Sequence, residues 1–139
     1  MVHALGEIRR VLVPGGVLID LRPVSSTWPV EVASMRESVE AGQLIDLPGA
    51  LEDDQAATQA IQEAGSLGWF KREREVDFDF FYYWDTPSEM KEFIDTKWDG
   101  FEKLEDALYN AAQSAWAVAD GDARLRVRLR MMIALWKKS

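Results

Sequence analysis

The feature that most constrains this chain is the turn Pro14-Gly15-Gly16, set between a stretch with helical periodicity and a short, branched apolar run. Ala4, Leu5, Ile8, Val11 and Leu12 recur at the three- and four-residue steps of one helix face. Pro14 ends that pattern, because proline lacks the N–H a helix needs and drives the preceding residue out of helical backbone. The two glycines permit a reversal too tight for most side chains. Val17-Leu18-Ile19-Asp20-Leu21 follows at once. So apolar a run predicts a strand buried on both faces. A helix, a tight turn and a doubly buried strand together predict an α/β protein with a parallel sheet.

Beyond Pro23 the chain is less regular. Ser25, Ser26, Trp28, Pro29, Pro48 and Gly49 signal loops around one short element near Val30–Val39. A helix is expected from Asp53 or Asp54 to Ala64: either aspartate can cap it, Ala57, Ala60, Ile61 and Ala64 line one side, and Gly65 suits the C-terminal cap. Val76, Phe78, Phe80, Tyr82 and Trp84 then alternate with Glu75, Asp77 and Asp79, which predicts a strand with one buried face. Thr86-Pro87-Ser88-Glu89 has the form of a capping box with proline at the first helical position. Met90, Phe93 and Ile94 continue that helix, and a second shows Phe101, Leu104, Leu108, Ala111, Ala115 and Val118. The last segment, Arg124–Leu135, fits either a helix or a strand. A strand gathers Arg124, Arg126, Arg128 and Arg130 on one face, whereas a helix scatters them, so a strand is expected. After Arg130 both faces turn apolar through Met132, Ala134 and Trp136, which predicts an end sandwiched inside the sheet.

The chain has 139 residues, which suits a single domain over 1–139. Its net charge of −8 argues against nonspecific nucleic-acid binding. The charge is uneven. Glu31 to Glu63 holds eight acidic residues and one basic, Arg36, while Arg124 to Lys138 holds six basic and no acidic. The two runs read either as solvated faces or as an acidic segment facing the basic strand, within one chain or across a dimer. There is no cysteine, which excludes disulfides and thiolate chemistry. No apolar run approaches the roughly 20 residues of a membrane helix, and no signal pattern opens the chain, so the expected compartment is the cytoplasm. One histidine and no cysteine cannot build a typical zinc site. No serine stands in Gly-x-Ser-x-Gly. His3 lies at the frayed start of a helix, a poor place for a general base. No catalytic residue and no metal ligand is therefore assigned.

The stretch from Ala4 to Ile19, ALGEIRRVLVPGGVLI, resembles a segment of class I S-adenosylmethionine-dependent methyltransferases of the type 11-like kind. In that family a helix carrying Glu and Arg-Val-Leu ends in Pro-Gly-Gly and feeds the fifth strand. The element order that follows also resembles the family: a helix, a sixth strand, and a final strand closed here by Lys137-Lys138. The resemblance implies the C-terminal half of a Rossmann-like sheet, about three strands flanked by helices, with a parallel pair and an antiparallel last strand.

The family's cofactor site lies on strands one to four, where a glycine-rich loop and an acidic residue hold the cofactor. This chain has no Gly-x-Gly-x-Gly or Gly-x-Gly-x-x-Gly, and Gly65 and Gly68 follow a helix rather than a strand. The implied cofactor is S-adenosylmethionine, but no residue here is assigned to it and the chain alone is not expected to bind it. The resemblance implies methyl transfer to a small molecule, with the chain inactive by itself; the alternative is a noncatalytic dimerising remnant. What the resemblance leaves is a substrate-pocket wall after the fifth strand: Arg22 to pair with an anionic group, Ser25 and Ser26 on the loop, and Trp28 to stack on a ring. In the family the fifth strand lies between the fourth and the seventh, so Val17–Leu21 is expected to have an unpaired edge. That edge and the uncovered apolar faces predict a homodimer, or pairing with a separate N-terminal half, and no nucleic-acid or membrane partner.

Overall fold

A computed structural model describes residues 1–24 and 26–139. It is a mixed α/β arrangement with four helices. In chain order the elements are α1 (Val2–Val11), β1 (Val17–Pro23), β2 (Pro29–Ala33), β3 (Ser38–Gln43), β4 (Ile45–Asp46), α2 (Pro48–Ser66), β5 (Phe70–Trp84), α3 (Pro87–Lys97), β6 (Glu102–Lys103), α4 (Asp106–Ala117) and β7 (Arg124–Lys138). Five strands form one sheet in the order β1-β7-β2-β3, with β5 also paired to β7, and β4 and β6 form a separate two-stranded ladder. None of the helices is long and apolar enough to cross a membrane.

The sheet departs from the expected parallel, roughly three-stranded form. The β1–β7, β2–β7 and β2–β3 ladders are all antiparallel. The expected antiparallel last strand is present as β7. β1 and β5, the expected parallel pair, each bond to β7. The extra strands come from residues 29–43, where one short element was expected. There Val30, Val32 and Val39 supply branched residues, and the Ser34 hydroxyl accepts from the backbone N–H groups of Arg36 and Glu37 at 3.2 Å each, turning the chain into a hairpin.

The chain divides into two compact units. The first comprises Met1–Val24, Glu52–Phe78 and Met131–Ser139, and the second Ser25–Leu51 and Asp79–Arg130. In the first, α1 ends where Pro14 requires it. The Gly16 N–H donates to the Val13 carbonyl at 2.9 Å, and Gly15 sits at φ +75°. Lys138 then ties the turn down, its N–H donating to the Gly16 carbonyl at 2.8 Å and its ammonium to the Leu12 carbonyl at 2.6 Å. Leu5, Ile8 and Leu12 of α1 and Ile61 and Ala64 of α2 pack with Phe70, Met132, Ala134 and Trp136. In α2 the Pro48-Gly49 pair, read as a loop signal, instead opens the helix: proline fits a first turn whose N–H groups have no helical partner anyway.

In the second unit, α4 packs on β2 and β3 and against α3. Val30, Leu44, Met90, Ile94, Leu108, Ala112, Leu125 and Val127 are buried there. A bulge follows Val30, whose partner is Gly42 while that of Glu31 is Glu40. A Cβ on Gly42 would lie 2.7 Å from Leu108 Cδ1, and the backbone there is at φ +153°, so both the close approach of α4 and the backbone conformation favour glycine. The capping box at Thr86 forms as expected. The Glu89 N–H donates to Thr86 Oγ1 at 3.3 Å, and Glu89 accepts from the Asp85 N–H, one residue before the cap, at 3.1 Å.

Candidate functional site

Arg22 and Trp28, expected to wall a substrate pocket, belong to different units. Arg22 ends β1 in the first unit and is already committed. Its guanidinium donates to Asp54 Oδ1 at 2.8 Å, Thr58 Oγ1 at 3.1 Å, Asp20 Oδ2 at 3.3 Å and the Asp54 carbonyl at 3.3 Å. Those bonds fasten β1 to α2 and occupy the groups that would otherwise hold an anion. Ser25 lies outside the described residues. Ser26 is exposed, and Trp28 is buried in the second unit, its ring 5.6 Å from that of Trp98 in an edge-to-face contact. Trp98 also meets Tyr82, Trp84 and Phe93 at 5.3–6.1 Å, so Trp28 belongs to a packed aromatic cluster rather than to an open stacking platform.

What stands open in the first unit is the sheet itself. The helices cover the even-numbered side of β7 (Met132, Ala134, Trp136). The odd-numbered side carries Ile133 and Leu135, each 36% exposed, opposite Leu21 and Ile19, 55% and 58% exposed. Val17 extends this surface at 46%. The sequence led us to expect β1 buried on both faces and the end of β7 sandwiched, and neither holds. The reason is that α1 and α2 both pack on one side. Along β7 the buried positions change parity at Arg130–Met131, from Leu125, Val127 and Leu129 to Met132, Ala134 and Trp136. The face of β5 expected to be core is also open over Val76, Phe78, Phe80 and Tyr82. Among the described residues β1 pairs only with β7, so its other edge carries unpaired backbone groups. Adjacent exposed aliphatic side chains beside a bare strand edge form a surface suited to protein contact, by strand pairing or by burial.

In the second unit one buried carboxylate is engaged by neighbouring charges. Glu31 is buried, yet the strands on either side supply it with partners. It accepts from Ser38 Oγ at 2.8 Å, and from Arg126 and Arg128 at 3.2 Å each. Burial alone would raise its pKa. The Ser38 hydroxyl and the Arg126 guanidinium more than offset that and hold the carboxyl below the usual range. Arg126 also donates to the Tyr83 hydroxyl at 3.2 Å and lies 4.6 Å from the Phe81 ring centre. The acidic segment thus meets the basic strand within one chain through Glu31. That contact was one of two readings the charge runs allowed, and sequence spacing could not select it because the partners lie 95 and 97 residues apart.

No protein-family model, no curated protein and no solved structure matches this chain.

Proposed function

We propose that this chain is methyltransferase-like: the distal half of an S-adenosylmethionine-dependent enzyme acting on a small molecule, inactive until joined by a cofactor-binding half. The observation that carries the reading is the position of β1. It is entered through the Pro-Gly-Gly turn, pairs with the final strand β7 on one side and is bare on the other, where the resemblance sets a fourth strand. The open aliphatic side of β1 and β7 supports the same reading, since a Rossmann-like sheet has helices on both faces. The compartment that goes with it is the cytoplasm. Within this proposal S-adenosylmethionine is held by the other half.

A second reading is a noncatalytic homodimer joined through the Val17–Leu21 edge. It is favoured by the pairing of Ile19 with Leu135 and Leu21 with Ile133, which makes the open surface uniformly aliphatic and so suited to a copy of itself.

The test is calorimetric titration with S-adenosylhomocysteine, on the chain alone and on the chain co-expressed with the polypeptide encoded immediately upstream. The first reading expects one-to-one binding by the complex and none by the chain. Tight binding by the chain alone would overturn it, as would an upstream polypeptide that neither associates nor confers binding. Sedimentation of the isolated chain decides the second reading, which a monomer at micromolar concentration rules out.

A further inference from the structure

Two carboxyl groups in the second unit meet without any cation. Asp46 of β4 and Glu102 of β6 stand directly opposite in the antiparallel ladder. Glu102 is 5% exposed. Neither Asp46 Oδ1 nor Glu102 Oε2, both buried, accepts a hydrogen bond from a conventional donor. The backbone closes tightly beside them: the Leu47 N–H donates to the Phe101 carbonyl at 2.8 Å, and a Cβ on Gly49 would lie 2.8 Å from the Gly100 carbonyl oxygen. Two ionised carboxylates offer only acceptors to each other, so a hydrogen bond between them requires a proton on one.

We propose that Asp46 and Glu102 share a single proton that fastens β4 to β6, and that loss of this proton as pH rises releases the α3–α4 connection from the segment leading into α2. The proposal stands apart from the methyltransferase reading and needs no ligand.

Among the described residues, none supplies a substitute for the proton. Lys103 faces Ile45 on the adjacent ladder pair, hence the opposite side. The first turn of α2, Pro48–Leu51, carries no charge. The helix α3 packs on β6 and bears Glu89, Lys91, Glu92, Asp95 and Lys97. The charge that acts on Glu102 is that of Asp46. Burial first, and then the Asp46 carboxylate, push Glu102 up to about 8. Its ordinary value is 4.5, so between these two values the folded chain holds a proton that the unfolded chain has lost. The clip's contribution is therefore complete below the lower value and is lost as pH rises through the upper one.

Carboxyl titration by NMR on the intact chain, with hydrogen exchange of the Leu47 amide, which donates to the Phe101 carbonyl across the two segments, tests this. Glu102 is expected to titrate near the raised value. Protection of that amide, corrected for intrinsic base catalysis, should fall about tenfold or more between pH 6 and pH 9.5 while the β1–β7 amides hold. Glu102→Gln keeps a neutral donor and should stay protected at both pH values. Asp46→Asn gives Glu102 a permanent donor and should return its titration towards the ordinary range, a readout that survives if the first variant does not fold. Titration of wild-type Glu102 in the ordinary carboxylate range overturns the proposal. So does alkaline loss of protection that persists unchanged in either variant.

Discussion

Ile19 and Leu135 face each other across the β1–β7 ladder, and both side chains point to the side that α1 and α2 leave open. A pair of this kind inside a finished sheet would carry a helix above it. Substituting it should therefore affect association far more than folding. The double variant Ile19→Lys, Leu135→Glu keeps a favourable cross-strand pair and should change unfolding stability by less than about 1 kcal/mol. Sedimentation should show a dimeric wild type becoming monomeric, or lost capture of a co-expressed N-terminal half. A loss of several kcal/mol in urea unfolding would mean that the face is internal after all.

Arg22 is predicted to be a structural residue. Arg22→Ala leaves Asp54 and Asp20 without their cation and frees the β1 end from α2, at a cost of about 1–3 kcal/mol in urea unfolding. Arg22→Lys should recover only part, because an ammonium cannot fork between Asp54 and Thr58 as a guanidinium does. An unchanged urea midpoint for Arg22→Ala would return Arg22 to the list of free anion-binding groups.

Glu31 should make stability depend on acid. Its carboxyl is held below the usual range in the folded chain. Its contribution is therefore present above the unfolded value and fades as pH falls through the folded one. The gap in melting temperature between wild type and Glu31→Gln should be widest near pH 7 and narrow towards pH 3. A constant gap across that range would show that Arg126 and Arg128 do not act on it as drawn.

The contact between Gly42 and Leu108 should appear as a coupling. Gly42→Ala drives a methyl group against Leu108 Cδ1 and should cost about 1–3 kcal/mol. In a Leu108→Ala background the steric part of this cost should disappear, leaving the strain of a side chain at φ +153°. The cycle is read from four urea midpoints, and strict additivity would deny the contact.

Local chemistry was legible in the sequence. Pro14 stops α1, Gly15 takes the positive φ, Thr86 caps α3, and the alternating arginines of 124–130 mark a strand. Each of these is settled by residues within a few positions of one another. The Ser34–Glu37 hairpin was missed because its strands are short and its turn carries Met35 and Arg36 rather than glycine. For Arg22 and Trp28 of the proposed wall, the partners were not legible in the sequence for a different reason. Arg22 is claimed by Asp54 and Thr58 and Trp28 by Trp98, partners more than thirty residues away in each case.

By itself, then, the sequence determined where elements begin and end, and which positions along each are apolar. Tertiary structure alone decided which apolar face is covered. The strand β7 shows the difference: beyond Arg130 its two sides are equally apolar in sequence, and only the placement of α1 and α2 on one side leaves Ile133 and Leu135 open while burying Met132, Ala134 and Trp136. The hydrophobic effect rewards burial without direction, so an alternating strand states that a side can be buried and leaves the choice of side to the elements that arrive to cover it.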